Sequence, residues 1–223
     1  MKRKEFRVYK NRITKATRQV LAEGHADNLN EAAFPAYSNP SPLISFLFWE
    51  RLYRVTKYLD SKEKFLSVMD FGCGSGVMLP ILAERAGHVI GVDVDLEPLK
   101  KINKHIHFQD NIKFQESYQK IPPGSLELIL ALDVLEHVDD LEMELNNISS
   151  LLAPGGEIII SGPTENIFYK IGRFLSGPAY SGDYHVRNIY DIQRETAKFL
   201  AVKKIATLYL PAPLFIIYTA TAD

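Results

Sequence analysis

From Phe65 onward, short apolar runs alternate with segments whose apolar residues recur every three or four positions. The runs at 65–71, 88–93, 112–116, 126–133, 156–162, 202–210 and 214–222 predict strands. The segments 76–86, 96–106, 139–152, 164–175 and 190–200 predict helices. Such alternation predicts a parallel sheet with helices on both faces. Only Pro211, Ala212 and Pro213 join the last two strands, too short for a parallel crossover, so these two must be antiparallel. Two helices precede the sheet. Phe6, Tyr9, Ile13, Ala16 and Val20 define one apolar stripe. A proline-bearing loop over 24–41 leads to Ser41-Pro42, a capping hydroxyl followed by proline at the first helical position, and a helix running to about Leu59. Residues 1–60 are thus expected to form a helical extension, and residues 61–223 the α/β domain.

Charge alters this picture at one place. The chain as a whole carries a formal charge of −1, which gives no reason to expect nucleic acid as a partner. Its first 20 residues, however, hold eight Lys/Arg against one Glu. A solvated helix packing one face on the domain explains them, and so does peripheral contact with anionic lipid or a phosphorylated substrate. The first 24 residues lack the apolar core of a signal peptide, and no apolar run reaches the ~18–20 residues of a membrane span. The one cysteine, Cys73, fits a reducing compartment, so a cytoplasmic protein is expected. No metal-type Cys/His cluster is present in the sequence.

Candidate chemistry begins at Val68-Met69-Asp70-Phe71-Gly72-Cys73-Gly74-Ser75-Gly76. An apolar strand runs into an acid and then into glycines at alternate positions, ahead of a helix. Glycine lets the backbone take φ > 0 and approach a ligand, and the helix start offers free N–H groups. The dinucleotide pattern G-x-G-x-x-G would need a third glycine where Val77 stands. A second strand ends at Asp93, 17 residues after Gly76. A carboxylate there can accept two hydrogen bonds from a ribose diol. Asp95 is a weaker candidate for that role and could instead cap the helix beginning near Leu96 and Pro98.

The pattern D-x-G-x-G-x-G followed by Asp93 resembles motif I and the second-strand acid of the class I S-adenosylmethionine-dependent methyltransferases, and Leu132–Val138 and Leu152-Ala153-Pro154-Gly155-Gly156 resemble the ubiquinone/menaquinone-type members. The resemblance implies a Rossmann-like seven-stranded mixed sheet in the order 3-2-1-4-5-7-6 with strand 7 antiparallel. It implies S-adenosylmethionine as cofactor, held by Asp70, Gly72, Cys73, Gly74 and Gly76, by Asp93 with Val94, by Glu116 and Ser117 at the adenine, and by Asp133 and Val134 near the sulfur. It also implies a small-molecule or lipid-like methyl acceptor, and an extension that lids the cofactor.

Methyl transfer needs a base only when the nucleophile holds a proton, and histidine titrates in the useful range. His137 and His185 are the candidates, the latter with Tyr184 and Arg187 available to an aromatic or acidic acceptor. Tyr37, Phe46, Trp49, Phe168, Tyr169, Tyr180 and Tyr184 could wall the acceptor pocket or pack the core. A non-catalytic cofactor-binding protein on the same fold is the alternative reading. A nicotinamide-dependent oxidoreductase is disfavoured by Val77 and by the reversed last strand.

Overall fold

The computed structural model describes residues 1–23, 37–164, 187–209 and 211–221. Two helices come first, α1 (Arg3–Ala22) and α2 (Pro42–Asp60). The alternating part follows as β1 (Phe65–Phe71), α3 (Leu79–Ala83), β2 (Ala86–Val92), α4 (Glu97–Ile106), β3 (Ile112–Gln115), β4 (Leu126–Leu132), a 3-10 turn at Leu135–His137, α5 (Leu141–Ser150), β5 (Leu152–Pro163), α6 (Ile189–Thr196), β6 (Ala201–Leu208) and β7 (Phe215–Thr221). The strands form one sheet, ordered β3-β2-β1-β4-β5-β7-β6. The first five pair in parallel, while β7 lies antiparallel between β5 and β6. This is the expected topology, reversed strand included.

Boundaries shift where local chemistry overrides periodicity. The helix expected from Gly76 starts only at Leu79 and lasts five residues. Gly72, Gly74 and Gly76 all take positive φ, so the chain is still turning until Met78. The strand expected from 156 begins instead at Leu152, and Gly155 at φ +75° absorbs an irregularity between the pairs Leu126–Leu152 and Leu128–Glu157. Pro42 opens α2 as expected, but the Ser41 side chain makes no capping bond. Asp140 and Asn188 do cap their helices: Asp140 accepts from the Met143 N–H, and Asn188 from those of Tyr190 and Asp191. The helix expected at 164–175 lies outside the described residues, apart from its first position.

The extension is built into the core. Phe6, Ile13, Ala16, Val20, Trp49, Leu52, Val55 and Leu59 belong to the same buried cluster as Val68 of β1, Leu79 of α3 and Ile102 of α4. Polar bonds fasten it further. The Tyr9 hydroxyl donates to the Val77 carbonyl, and the Arg12 guanidinium to the Ile106 carbonyl at the end of α4. At the far end of α2, buried Glu157 accepts from the Tyr58 hydroxyl (2.6 Å) and the Thr219 hydroxyl (2.8 Å) and pairs with Lys62 (2.9 Å). Helix α2 therefore runs from the carboxyl edge of the sheet, where Phe48 meets Phe215, to its amino edge.

Candidate active site

The carboxyl ends of β1 and β2 are stitched together by backbone. The Gly72 and Cys73 N–H groups both donate to the Val92 carbonyl, at 2.8 and 3.0 Å. One Asp93 oxygen accepts from the Gly74 N–H (2.7 Å), the other from the Asp95 N–H (3.2 Å). Asp93 thus sets the glycine loop while keeping lone pairs for a ligand. Asp95 in turn accepts from the Glu97 N–H at 2.9 Å, the capping role open to it. A Cβ at Gly72 would lie 2.3 Å from Val134 Cγ2, and one at Gly76 2.4 Å from Leu99 Cδ1. Glycine at these two positions is required both by φ and by space.

Asp70 is buried beneath this loop. Burial, reinforced by the nearby Asp93 charge, pushes its carboxyl up to about 8. The Cys73 thiol is buried too and raised well above its ordinary value by burial and then by the charges of Asp70 and Asp93. Burial and the raised pKa both disfavour the thiolate form, as for a packed loop residue. Val94, beside Asp93, is 91 % exposed. Glu116 and Ser117 are exposed at the end of β3. These residues form an open edge with a buried acid at its inner end.

Asp133 closes the other side. It follows β4 in a left-handed conformation, φ +55°, that non-glycine residues seldom adopt. Three bonds fix it: its N–H donates to the Ser161 carbonyl (2.9 Å), its carboxylate accepts from the Ser161 hydroxyl (3.1 Å), and it pairs with the Arg51 guanidinium of α2. Arg51 is almost fully buried. Its guanidinium lies 5.6 Å from the Phe48 ring centre and 5.1 Å from that of Phe215, and it donates to the Tyr37 hydroxyl at 3.4 Å. The Tyr37 carbonyl accepts from Thr14 (3.1 Å) and from the Trp49 indole (3.3 Å).

The structure therefore brings Asp70, Gly72, Cys73, Gly74, Gly76, Asp93 and Val94 to one loop cluster and sets Asp133 and Val134 against it. The 3-10 turn beyond Asp133 buries Glu136 and exposes His137. His185, Phe168, Tyr169, Tyr180 and Tyr184 lie outside the described residues. The Arg187 guanidinium donates to the carbonyls of Val138 and Asp139, bracing the turn that carries His137. Trp49 is core, stacked edge-on with Phe6 and Tyr37. Among the described residues no group of His, Cys, Asp and Glu is placed to hold a metal ion, and no helix is long and apolar enough to cross a membrane.

Arg51 and Ser161, which no motif marks, are the side chains the structure sets against Asp133. Arg51 could have been noticed as a cation standing in line with Val55 and Leu59 on an otherwise apolar stripe.

A family model described as a methyltransferase domain matches residues 44–198, from α2 through α6. The chain belongs to the methyltransferase-domain family. Within it, the ubiquinone biosynthesis O-methyltransferase of Aeromonas salmonicida is 31 % identical over 104 residues, 44 % of each chain. That of Acinetobacter baumannii is 30 % identical over 135 residues, 53 % of this chain and 55 % of the relative. The chain thus spans about half the length of the curated relatives it matches. The N-methyltransferase NodS of Bradyrhizobium japonicum, solved with S-adenosylhomocysteine, superposes at a TM-score of 0.64 over 88 % of this chain and all of its own. Magnesium protoporphyrin IX methyltransferase of Synechocystis, also with S-adenosylhomocysteine, gives 0.60 over 94 % of both chains. At 15 % and 17 % identity these two likenesses are of fold.

Proposed function

We propose that this methyltransferase-domain chain binds S-adenosylmethionine and moves its methyl group to a hydroxyl of a small, lipid-like acceptor. The observation that carries the reading is the junction in which Asp93 holds the Gly74 N–H beside exposed Val94, with buried Asp70 beneath and Asp133 opposite. This junction fits the cofactor by the chemistry of its donors and acceptors. Asp93 would take the ribose hydroxyls, and Val94 with the Glu116–Ser117 edge would receive the adenine. Gly72, Cys73, Gly74 and Gly76 would line the methionine end with Asp70 as partner for its ammonium. Arg51, buried beside Asp133 and Val134, would meet its carboxylate.

When bound, the cofactor supplies a methyl group already activated on a sulfonium, so the chain's own residues have chiefly to hold and orient. A hydroxyl acceptor also needs its proton taken, and His137 and His185 are the candidate bases. The relatives are O-methyltransferases of ubiquinone biosynthesis, which supports a hydroxyl on an apolar molecule. Residues 1–60 serve this site as its cover, through Arg51 and Tyr37. The exposed Lys4, Arg7 and Lys15 on the outer face of α1 support peripheral contact with an anionic membrane surface, on the cytoplasmic side.

Calorimetric titration tests the cofactor assignment. S-adenosylmethionine is expected to bind far more tightly than NAD, and Asp93→Ala to weaken it by about 10- to 100-fold, the worth of one or two bonds to a charged acceptor. Tighter binding of NAD would overturn the reading. Incubation with methyl-labelled cofactor and fractionated cell extract then identifies the acceptor, with label expected in the lipid fraction.

A further inference from the structure

The outward line of α2 changes character along its length. Arg54 and Lys57 make its later turns charged, and Arg54 pairs with Glu50, which is itself buried. Its first turns carry Leu43 and Phe46 instead, 66 % and 49 % exposed. Two large apolar side chains one turn apart, facing solvent at the carboxyl edge of the sheet, contribute little to the core. Their surroundings are built. The Phe46 ring stands edge-on to Tyr209 at 6.1 Å. Tyr209 sits at φ +70°, costly for a tyrosine, with its hydroxyl donating to the Leu47 carbonyl at 2.8 Å. The β6–β7 turn that carries it is fastened to the end of β5, where Thr164 donates its N–H to the Leu214 carbonyl (3.0 Å) and its hydroxyl to that of Pro213 (2.7 Å). Inward, Leu208, which precedes Tyr209, pairs with Phe215, and Phe215 stands edge-on to Phe48 at 6.0 Å. Phe48 and Phe215 flank the Arg51 guanidinium that pairs with Asp133. Through the buried Leu208 and Phe215, the exposed apolar patch thus adjoins the polar pair at the carboxyl end of β4.

We propose that Leu43, Phe46 and Tyr209, continuing inward to Phe48 and Phe215, form the track for an unbranched or isoprenoid-like apolar chain on the methyl acceptor, whose polar head lies by Arg51 and Asp133. This rests on the methyl-transfer reading and adds a location for the acceptor's chain. A half-open track suits a chain longer than the pocket, since the remainder can stay outside.

The test uses 4-alkylphenols with side chains of two to ten carbons, titrated calorimetrically into the full chain. Affinity is expected to rise about two- to fourfold per added CH₂ over the first several carbons. The double variant Leu43→Ser/Phe46→Ser is expected to flatten that dependence and to leave S-adenosylmethionine affinity unchanged and unfolding cooperative, because neither side chain lies at the cofactor junction. Titration of the same samples with S-adenosylmethionine reports the methyl-transfer reading separately, so failure of either is seen apart from the other. No rise with chain length in the unmodified protein overturns the proposal, and so does an equal rise in the variant. Loss of sedimentation with phosphatidylglycerol vesicles in the variant, with the chain-length dependence kept, would overturn it as well and assign the strip to the bilayer.

Discussion

Asp70 is the residue whose protonation the fold alters most usefully. Its carboxyl is raised to about 8, against about 3.9 in an unfolded chain. Between those values the folded protein holds a proton that the unfolded chain has lost, so this group's contribution to stability falls as pH rises from about 4 to about 8. Asp70→Asn removes the dependence. In urea melts the variant should gain on the parent across that window, by at least about 1.4 kcal/mol at pH 9, the worth of one pKa unit. A cation brought beside Asp70 lowers its pKa again. Binding of S-adenosylmethionine should therefore release a proton near neutrality and tighten between pH 6 and 8, seen as a binding heat that varies with the ionisation heat of the buffer. Two residues further on, Gly72 makes a steric demand that can be dissected. Gly72→Ala combines φ +71° with a Cβ 2.3 Å from Val134 and should cost on the order of 2 kcal/mol. Adding Val134→Ala removes the Cγ2 contact but keeps a Cβ at 2.6 Å, so it should recover only part of the loss, as chemical denaturation of the single and double variants shows.

At the scale of elements, α2 matters more than its sequence announces. Glycine spacing, the strand-end acids and the three-residue link before β7 could all be read locally, because each depends on neighbours within a few positions. The site depends equally on Arg51 meeting Asp133, two residues far apart in sequence whose approach follows from how α2 crosses the sheet. No short motif encodes that. The short α3 was hidden for a related reason: apolar spacing from Gly76 onward fits a helix, while three positive-φ glycines keep the chain turning until Met78. The outward line of α2 is apolar at Leu43 and Phe46 and charged at Arg54 and Lys57, a change that helix length and capping signals do not encode. The Arg51–Asp133 link predicts coupling. Arg51→Met leaves a partly buried carboxylate without its cation and should cost on the order of 3 kcal/mol. Asp133→Asn, which suits the left-handed backbone, should cost less in the Arg51→Met background than alone. A double-mutant cycle in thermal or urea unfolding measures the difference.

For the molecule as a whole, the extension and the sheet stabilise one another. α1 packs along α4 and bonds to the carbonyls of Val77 and Ile106, while α2 is held by Phe48 at one end of the sheet and by Glu157 at the other. Deleting residues 1–23 should therefore lower the melting temperature by more than 10 °C or abolish cooperative unfolding, as followed by circular dichroism, because the exposed apolar face of α3 and α4 is worth several kcal/mol. A chain that melts normally without α1 would show the extension to be a detachable appendage.

The position of β7 also bears on how the protein is made. Chains emerge from the ribosome amino end first, yet the strand that joins β5 to β6 is the last of the seven to appear. Until residues 215–221 are available, β6 has no neighbour in the sheet and β5 presents Ile158, Ile159 and Ile160 along an unpaired edge, a template for pairing with other chains. The nascent chain consequently passes through a sticky stage, and the delay between the emergence of β5 and that of β7 governs how long that hazard lasts.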